Sequence, residues 1–139
     1  MFIDVFKSLF CRAVRREARQ PFDKTVKKLR KMKAIEKMIG KRVIIRADRA
    51  GVFYGTLAEV EINGDKLQVA LTDLRRLWYW DGACSLTQLA VEGTKIPDEC
   101  KFTIRQASAV IIGVIEILPC SDVACESIEA VKEWKSRKG

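Results

Sequence analysis

The run Val52-Phe53-Tyr54-Gly55-Thr56-Leu57-Ala58-Glu59-Val60-Glu61-Ile62-Asn63-Gly64 decides the fold class of this 139-residue chain. It is rich in β-branched and aromatic residues, its period is two, and it ends in Asn-Gly. Asn63-Gly64 is a strong hairpin signal, because both central positions of the favoured two-residue turn need φ > 0. A return strand from Lys66 to Leu74 is therefore expected. Upstream, Arg42–Ala47 alternates in the same way and is joined to the run by a turn at Asp48-Arg49-Ala50-Gly51. Three strands with short turns make an antiparallel meander, since parallel strands need long crossovers.

The third strand feeds Leu74-Arg75-Arg76-Leu77-Trp78-Tyr79-Trp80-Asp81-Gly82-Ala83, which holds two of the three tryptophans and one of the two tyrosines. In a strand, Arg76, Trp78 and Trp80 share one face and Arg75, Leu77 and Tyr79 the other. An aromatic beside a guanidinium offers a nucleotide a surface for its base and a fork for its phosphate. The alternative is plain: the aromatics are strand core and the arginines solvate its edge.

Beyond Asp81-Gly82, Ser85-Leu86-Thr87-Gln88 has the form of a capping box and opens a short helix that Gly93 closes. A loop through Pro97 leads to two more expected strands, Lys101–Gln106 and Ala109–Leu118. The second is apolar nearly throughout, so it is central or buried at an interface. Pro119 stops it, and Ser121-Asp122 begins a last helix carrying Ala124, Ile128, Val131 and Trp134. Before the meander, residues 2–19 and 22–39 carry apolar stripes at helical spacing, split by Pro21 and ended by Gly40. The expected fold class is α+β, with a basic helical arm at 1–40 and a β-rich body at 41–139.

Charge is divided in the same way. The chain carries +8 overall. Residues 1–42 hold 14 Lys/Arg against 4 Asp/Glu, and the remainder 12 against 14. A basic arm attracts an anionic partner or keeps an assembly soluble. The first arm helix could lie on a membrane or dock on a partner subunit, and the short chain favours docking. No apolar run approaches a membrane span, and Met1–Lys7 lacks the form of a signal peptide, so a cytoplasmic location is expected. The five cysteines include no C-x-x-C pair and read as thiols in a reducing compartment.

There is no histidine, which removes triads and histidine-containing zinc sites. The phosphate-loop pattern is absent. Asp73, Asp81, Asp98 and Glu99 are candidate carboxylates, but acidic loop residues ordinarily face solvent. Cys84 is a candidate nucleophile, yet nothing activates it, and a packed thiol is the simpler reading. Binding without catalysis, and without cofactor or metal, is the expectation.

Several runs together resemble a phage-encoded family, the first-described Thoeris anti-defence proteins. They are Ile39–Arg46, Ala50–Leu57, Arg75–Trp80, Gly82-Ala83, Ser85-Leu86, Leu89–Gly93, Ile117–Cys120 and Ser127-Ile128. The resemblance covers about residues 38–135. It implies a non-enzymatic sponge for glycocyclic ADP-ribose signals in the cytoplasm of an infected bacterium. It also implies homo-oligomers, hexamers among them, with pockets between protomers, and in some members further sites for cyclic trinucleotides. By motif, the aromatic that stacks on adenine corresponds to Trp78, the diphosphate arginine to Arg105, and a polar contact to Gln88. Arg75, Arg76 and Trp80 are the neighbouring candidates, and Arg15, Arg16 and Arg19 are candidates for a second site. A basic nucleic-acid-binding protein and a phage assembly protein are the rival readings.

Overall fold

The computed structural model describes residues 33–137, and the chain divides after Lys37 into two units. Residues 33–36 of the expected arm are helical and 37–40 form a turn; residues 1–32, with Arg15, Arg16 and Arg19, lie outside the described residues. The second unit is α+β, with a six-stranded antiparallel sheet and a C-terminal helix.

The meander forms as its periodicity requires. Strands β1 (Arg42–Ala47), β2 (Gly51–Asn63) and β3 (Lys66–Tyr79) pair in sequence. The β2–β3 turn lies one residue later than expected. Asn63 pairs with Lys66, so the central residues are Gly64 and Asp65. Only Gly64 has positive φ, +62°, as in a turn that needs glycine at its first central position alone.

The expected strand 109–118 is two strands, β5 (Gln106–Ile112) and β6 (Val114–Pro119), meeting at Gly113. The first pairs with β3 and the second with β1. Gly113 performs the transfer. Its N–H donates to Leu67 O at the start of β3, and its carbonyl accepts from Asp48 N at the end of β1. In a regular strand both groups of one residue point to the same edge; φ of +78° lets this glycine serve two edges. The meander thus closes on itself in the manner of a small barrel.

Closure leaves this bent strand less buried than its composition implies. Ile111 and Val114 are buried, whereas Val110, Ile112 and Ile115 are each more than half exposed. The expected strand 101–106 shortens to β4, Lys101–Phe102, because Thr103 N turns to Arg76 O and the chain then enters β5.

Two apolar clusters share the sheet. One face carries Val43, Ile45, Phe53, Leu57, Val69, Leu71 and Leu74, all buried. The other carries Ile44, Tyr54 and Leu77 against helices α1 (Leu86–Glu92) and α2 (Asp122–Ala130), through Leu89, Ala90 and Ile128. Ser85 caps α1 by accepting from Gln88 N, and Ser121 caps α2 by accepting from Ala124 N. The last helix stops at Ala130. Val131 and Trp134, expected on it, follow in extended chain, where Trp134 N donates to Phe102 O. Among the described residues no helix is long and apolar enough to cross a membrane.

Candidate functional site

A bulge in β3 arranges the arginines. Tyr54 pairs with Arg75 and Thr56 with Thr72, so Asp73 and Leu74 together oppose the single residue Gly55. Asp73 takes φ +47°, the one positive value for a non-glycine among the described residues. Gly55 makes the bulge possible: a Cβ there would lie 2.9 Å from Leu74 Cβ. The extra residue inverts the alternation downstream. By simple period two Arg75 would share a face with Leu71; instead Arg76 does, and Arg75 turns toward the helices.

Arg75 is therefore a packing residue. It is 1% exposed, its Nε donates to Thr103 O at 3.1 Å, and its Nη1 donates to Ile128 O at 3.0 Å. Its guanidinium lies 5.5 Å from the centre of the Phe102 ring. Burial, with Arg105 adding repulsion, lowers its pKa. The side chain ties the 103–105 segment to the end of α2 and presents nothing to solvent.

Arg76 points the other way. Its guanidinium is 4.7 Å from the Phe53 ring centre, and its Nη1 donates to Ala50 O at 3.3 Å. Arg76, Arg105, Phe53 and Thr103 are among the residues lining a shallow pocket of about 190 Å³. Arg105 Nη1 is 3.4 Å from both carboxylate oxygens of Asp73. Asp73 is gripped more closely by Arg42, through Oδ2 and through its backbone carbonyl. Arg42 reaches Glu129 Oε1 at 3.2 Å, which also accepts from Tyr54 OH at 3.0 Å. An alternating chain of charge thus runs from the pocket edge to α2.

The other candidates occupy different places. Trp78 is 65% exposed, two residues beyond Arg76 on β3, and does not line the pocket. The β3–β4 register slips between Leu77 and Tyr79, so the expected face Arg76–Trp78–Trp80 is broken and Trp80 packs against the helical core. Gln88 is engaged at the start of α1, where its Oε1 accepts from Cys84 N at 2.8 Å and its Nε2 donates to Glu92 at 3.0 Å. Cys84 is exposed, contrary to the expected packed thiol. Of the candidate carboxylates, Asp81 Oδ1 accepts from Gly82 N, and Asp98 and Glu99 are exposed in a short 3-10 turn. Among the described residues no group of three Cys, Asp or Glu is placed to hold a metal ion.

Sequence reasoning named Asp73 as a candidate carboxylate but missed Arg42 and Arg105 as its partners, and Arg42 and Asp73 form the closer pair. They are 31 residues apart, and only the bulge brings them together. A second basic concavity, about 450 Å³, lies at the Gly113 corner beside Asp48, Arg49 and Lys66.

No curated protein and no solved structure matches the chain. Residues 40–128, which span the meander, both helices' packing faces and the Arg76–Arg105 pocket, match a family model described as a domain of unknown function, DUF6948, and the chain belongs to that family.

Proposed function

We propose that this chain is a phage anti-defence sponge that sequesters glycocyclic ADP-ribose signals without cleaving them. The observation that carries the reading is the convergence of Arg76 and Arg105 on one pocket floored by Phe53. Two guanidiniums facing one concavity suit a diphosphate, and the exposed Trp78, two residues beyond Arg76 on β3, is the aromatic assigned to the base. The family resemblance supplies the particular signal. Binding needs no proton transfer, which accords with a chain without histidine.

Charge-assisted hydrogen bonds contribute roughly 1.5–3 kcal/mol each, and stacking a base on Trp78 roughly 1–3 kcal/mol. One bond from each arginine and one stacked base sum to about 4–9 kcal/mol, so the roughly 12 kcal/mol of nanomolar binding requires bidentate contacts or groups from a second protomer. A pocket of about 190 Å³ is smaller than the usual few hundred Å³ of a small-molecule site. In this reading a second protomer supplies the missing wall, and the exposed Val110, Ile112 and Ile115 are the surface that brings it there. The assembly acts in the cytoplasm of the infected host.

The test is capture and release. Purified protein is mixed with glycocyclic ADP-ribose isomers and cyclic trinucleotides, the free ligand is quantified by chromatography, and the protein is then heat-denatured. A signal depleted and returned intact supports the sponge; an altered molecule, or no depletion, refutes it. Trp78→Ala and Arg105→Ala should each abolish capture with the oligomer intact. The second reading, nucleic-acid binding, is favoured by the excess of Lys/Arg in residues 1–42. It requires affinity that falls steeply with salt and is lost on deleting residues 1–37.

A further inference from the structure

Arg105 does not face the pocket as a free cation. Its Nη1 lies 3.4 Å from each carboxylate oxygen of Asp73, which is long for a charge-assisted bond and lacks the paired geometry of a guanidinium fork. Asp73 is held elsewhere: Arg42 takes both its carboxylate and its backbone carbonyl. The carboxylate is also where it is at a conformational cost, on the β3 bulge at φ +47°. A firmly anchored anion thus rests lightly against a pocket arginine.

We propose that Asp73 is an internal counter-anion which a ligand's diphosphate replaces on Arg105. The inference rests on the pocket reading above and specifies how that pocket is regulated. In the empty protomer Asp73 neutralises Arg105, so the pocket does not present two uncompensated cations. A diphosphate contacting Arg76 competes with Asp73 for the second guanidinium. Arg105 exchanges one anion for another, while Asp73 stays paired to Arg42. The exchange lowers affinity for every anion, and only a ligand reaching both arginines recovers what is lost. Nucleosides and weak anions are thereby kept out.

The exchange has a signature that a general charge effect lacks. Asp73→Asn keeps the side chain's shape, and asparagine tolerates positive φ; Asp73→Gly removes the side chain and relieves the backbone. Inorganic pyrophosphate is the probe, titrated calorimetrically into the full chain at fixed pH and ionic strength. Both variants should bind it roughly two- to fivefold more tightly than the wild type, the scale for losing one competing, partly exposed ion pair. In an Arg105→Ala background the same substitutions should change affinity less than twofold, because nothing remains to be exchanged.

Weaker binding by the Asp73 variants would make Asp73 a positioning residue for Arg105 and overturn the proposal. So would an equal gain with and without Arg105, unchanged affinity, or no pyrophosphate binding by any of the proteins. Capture of glycocyclic ADP-ribose that is indifferent to Asp73 would sink this inference alone. The expected pyrophosphate cycle with no signal captured would sink the sponge reading and leave this one standing.

Discussion

Arg75→Met separates packing from binding. The methionine retains much of the aliphatic stem beside Phe102 but removes the donors to Thr103 O and Ile128 O. Thr103 O is then left without a partner, at a cost of about 1–3 kcal/mol, whereas Ile128 O keeps the N–H of Val131. Against this, the substitution relieves a buried charge whose Nη2 has no partner of its own, recovering part of the desolvation cost. The net loss is about 1–2 kcal/mol, or roughly 5 °C in Tm for a chain of this length. Urea and thermal unfolding followed by circular dichroism measure it, at one fixed protein concentration because an assembly would couple to stability. Ligand capture should survive at temperatures where the variant is folded. A variant within 0.5 kcal/mol of wild type, or one of unchanged stability that no longer captures ligand, would refute the assignment of Arg75 to the core.

Gly113→Ala meets no steric obstacle, since the nearest atom to the new Cβ is 4.0 Å away. Its cost is backbone strain at φ +78°, about 1–2 kcal/mol, less the 0.4–1 kcal/mol or so gained from a stiffer unfolded chain. Urea midpoints should fall, with Gly113→Asn intermediate; a more stable alanine variant would contradict the two-edge role. Arg42, with Arg105 behind it, holds the Asp73 carboxyl below its ordinary value near 3.8. That contribution is present above about pH 4 and lost as pH falls through the depressed value. Being half exposed it is worth only about 0.5 kcal/mol, and Asp73→Asn should remove this part of the acid limb of the stability profile. Burial, reinforced by Cys125, pushes the Cys120 thiol up to about 12. Iodoacetamide at pH 8 should alkylate the exposed Cys84 well ahead of Cys120, and in urea the difference should vanish; peptide mass spectrometry reads both.

The sequence determined the elements wherever a decision was local. Strands β1 and β2 follow from alternation, the hairpin from a glycine that accepts positive φ, and α1 and α2 from serine caps three residues before a free N–H. Each of these depends on residues within about one turn or one strand pair, so it is legible without the fold. The breaks in the apolar run 109–118 and in the strand after Lys101 were not legible. They are set by which edges the strand must satisfy, β3 before Gly113 and β1 after it, and a strand's partners lie far away in sequence. The same holds at the site. Period two identified two arginines on opposite faces, but their orientation depends on one extra residue at Asp73 packed against a glycine on the neighbouring strand. Composition announced arginines and aromatics together; only the tertiary structure decided that Arg75 is buried, that Trp80 joins the core, and that Arg76 and Arg105 line one pocket. The physical reason is that a bulge shifts every later side chain to the other face, and its place is chosen by cross-strand packing.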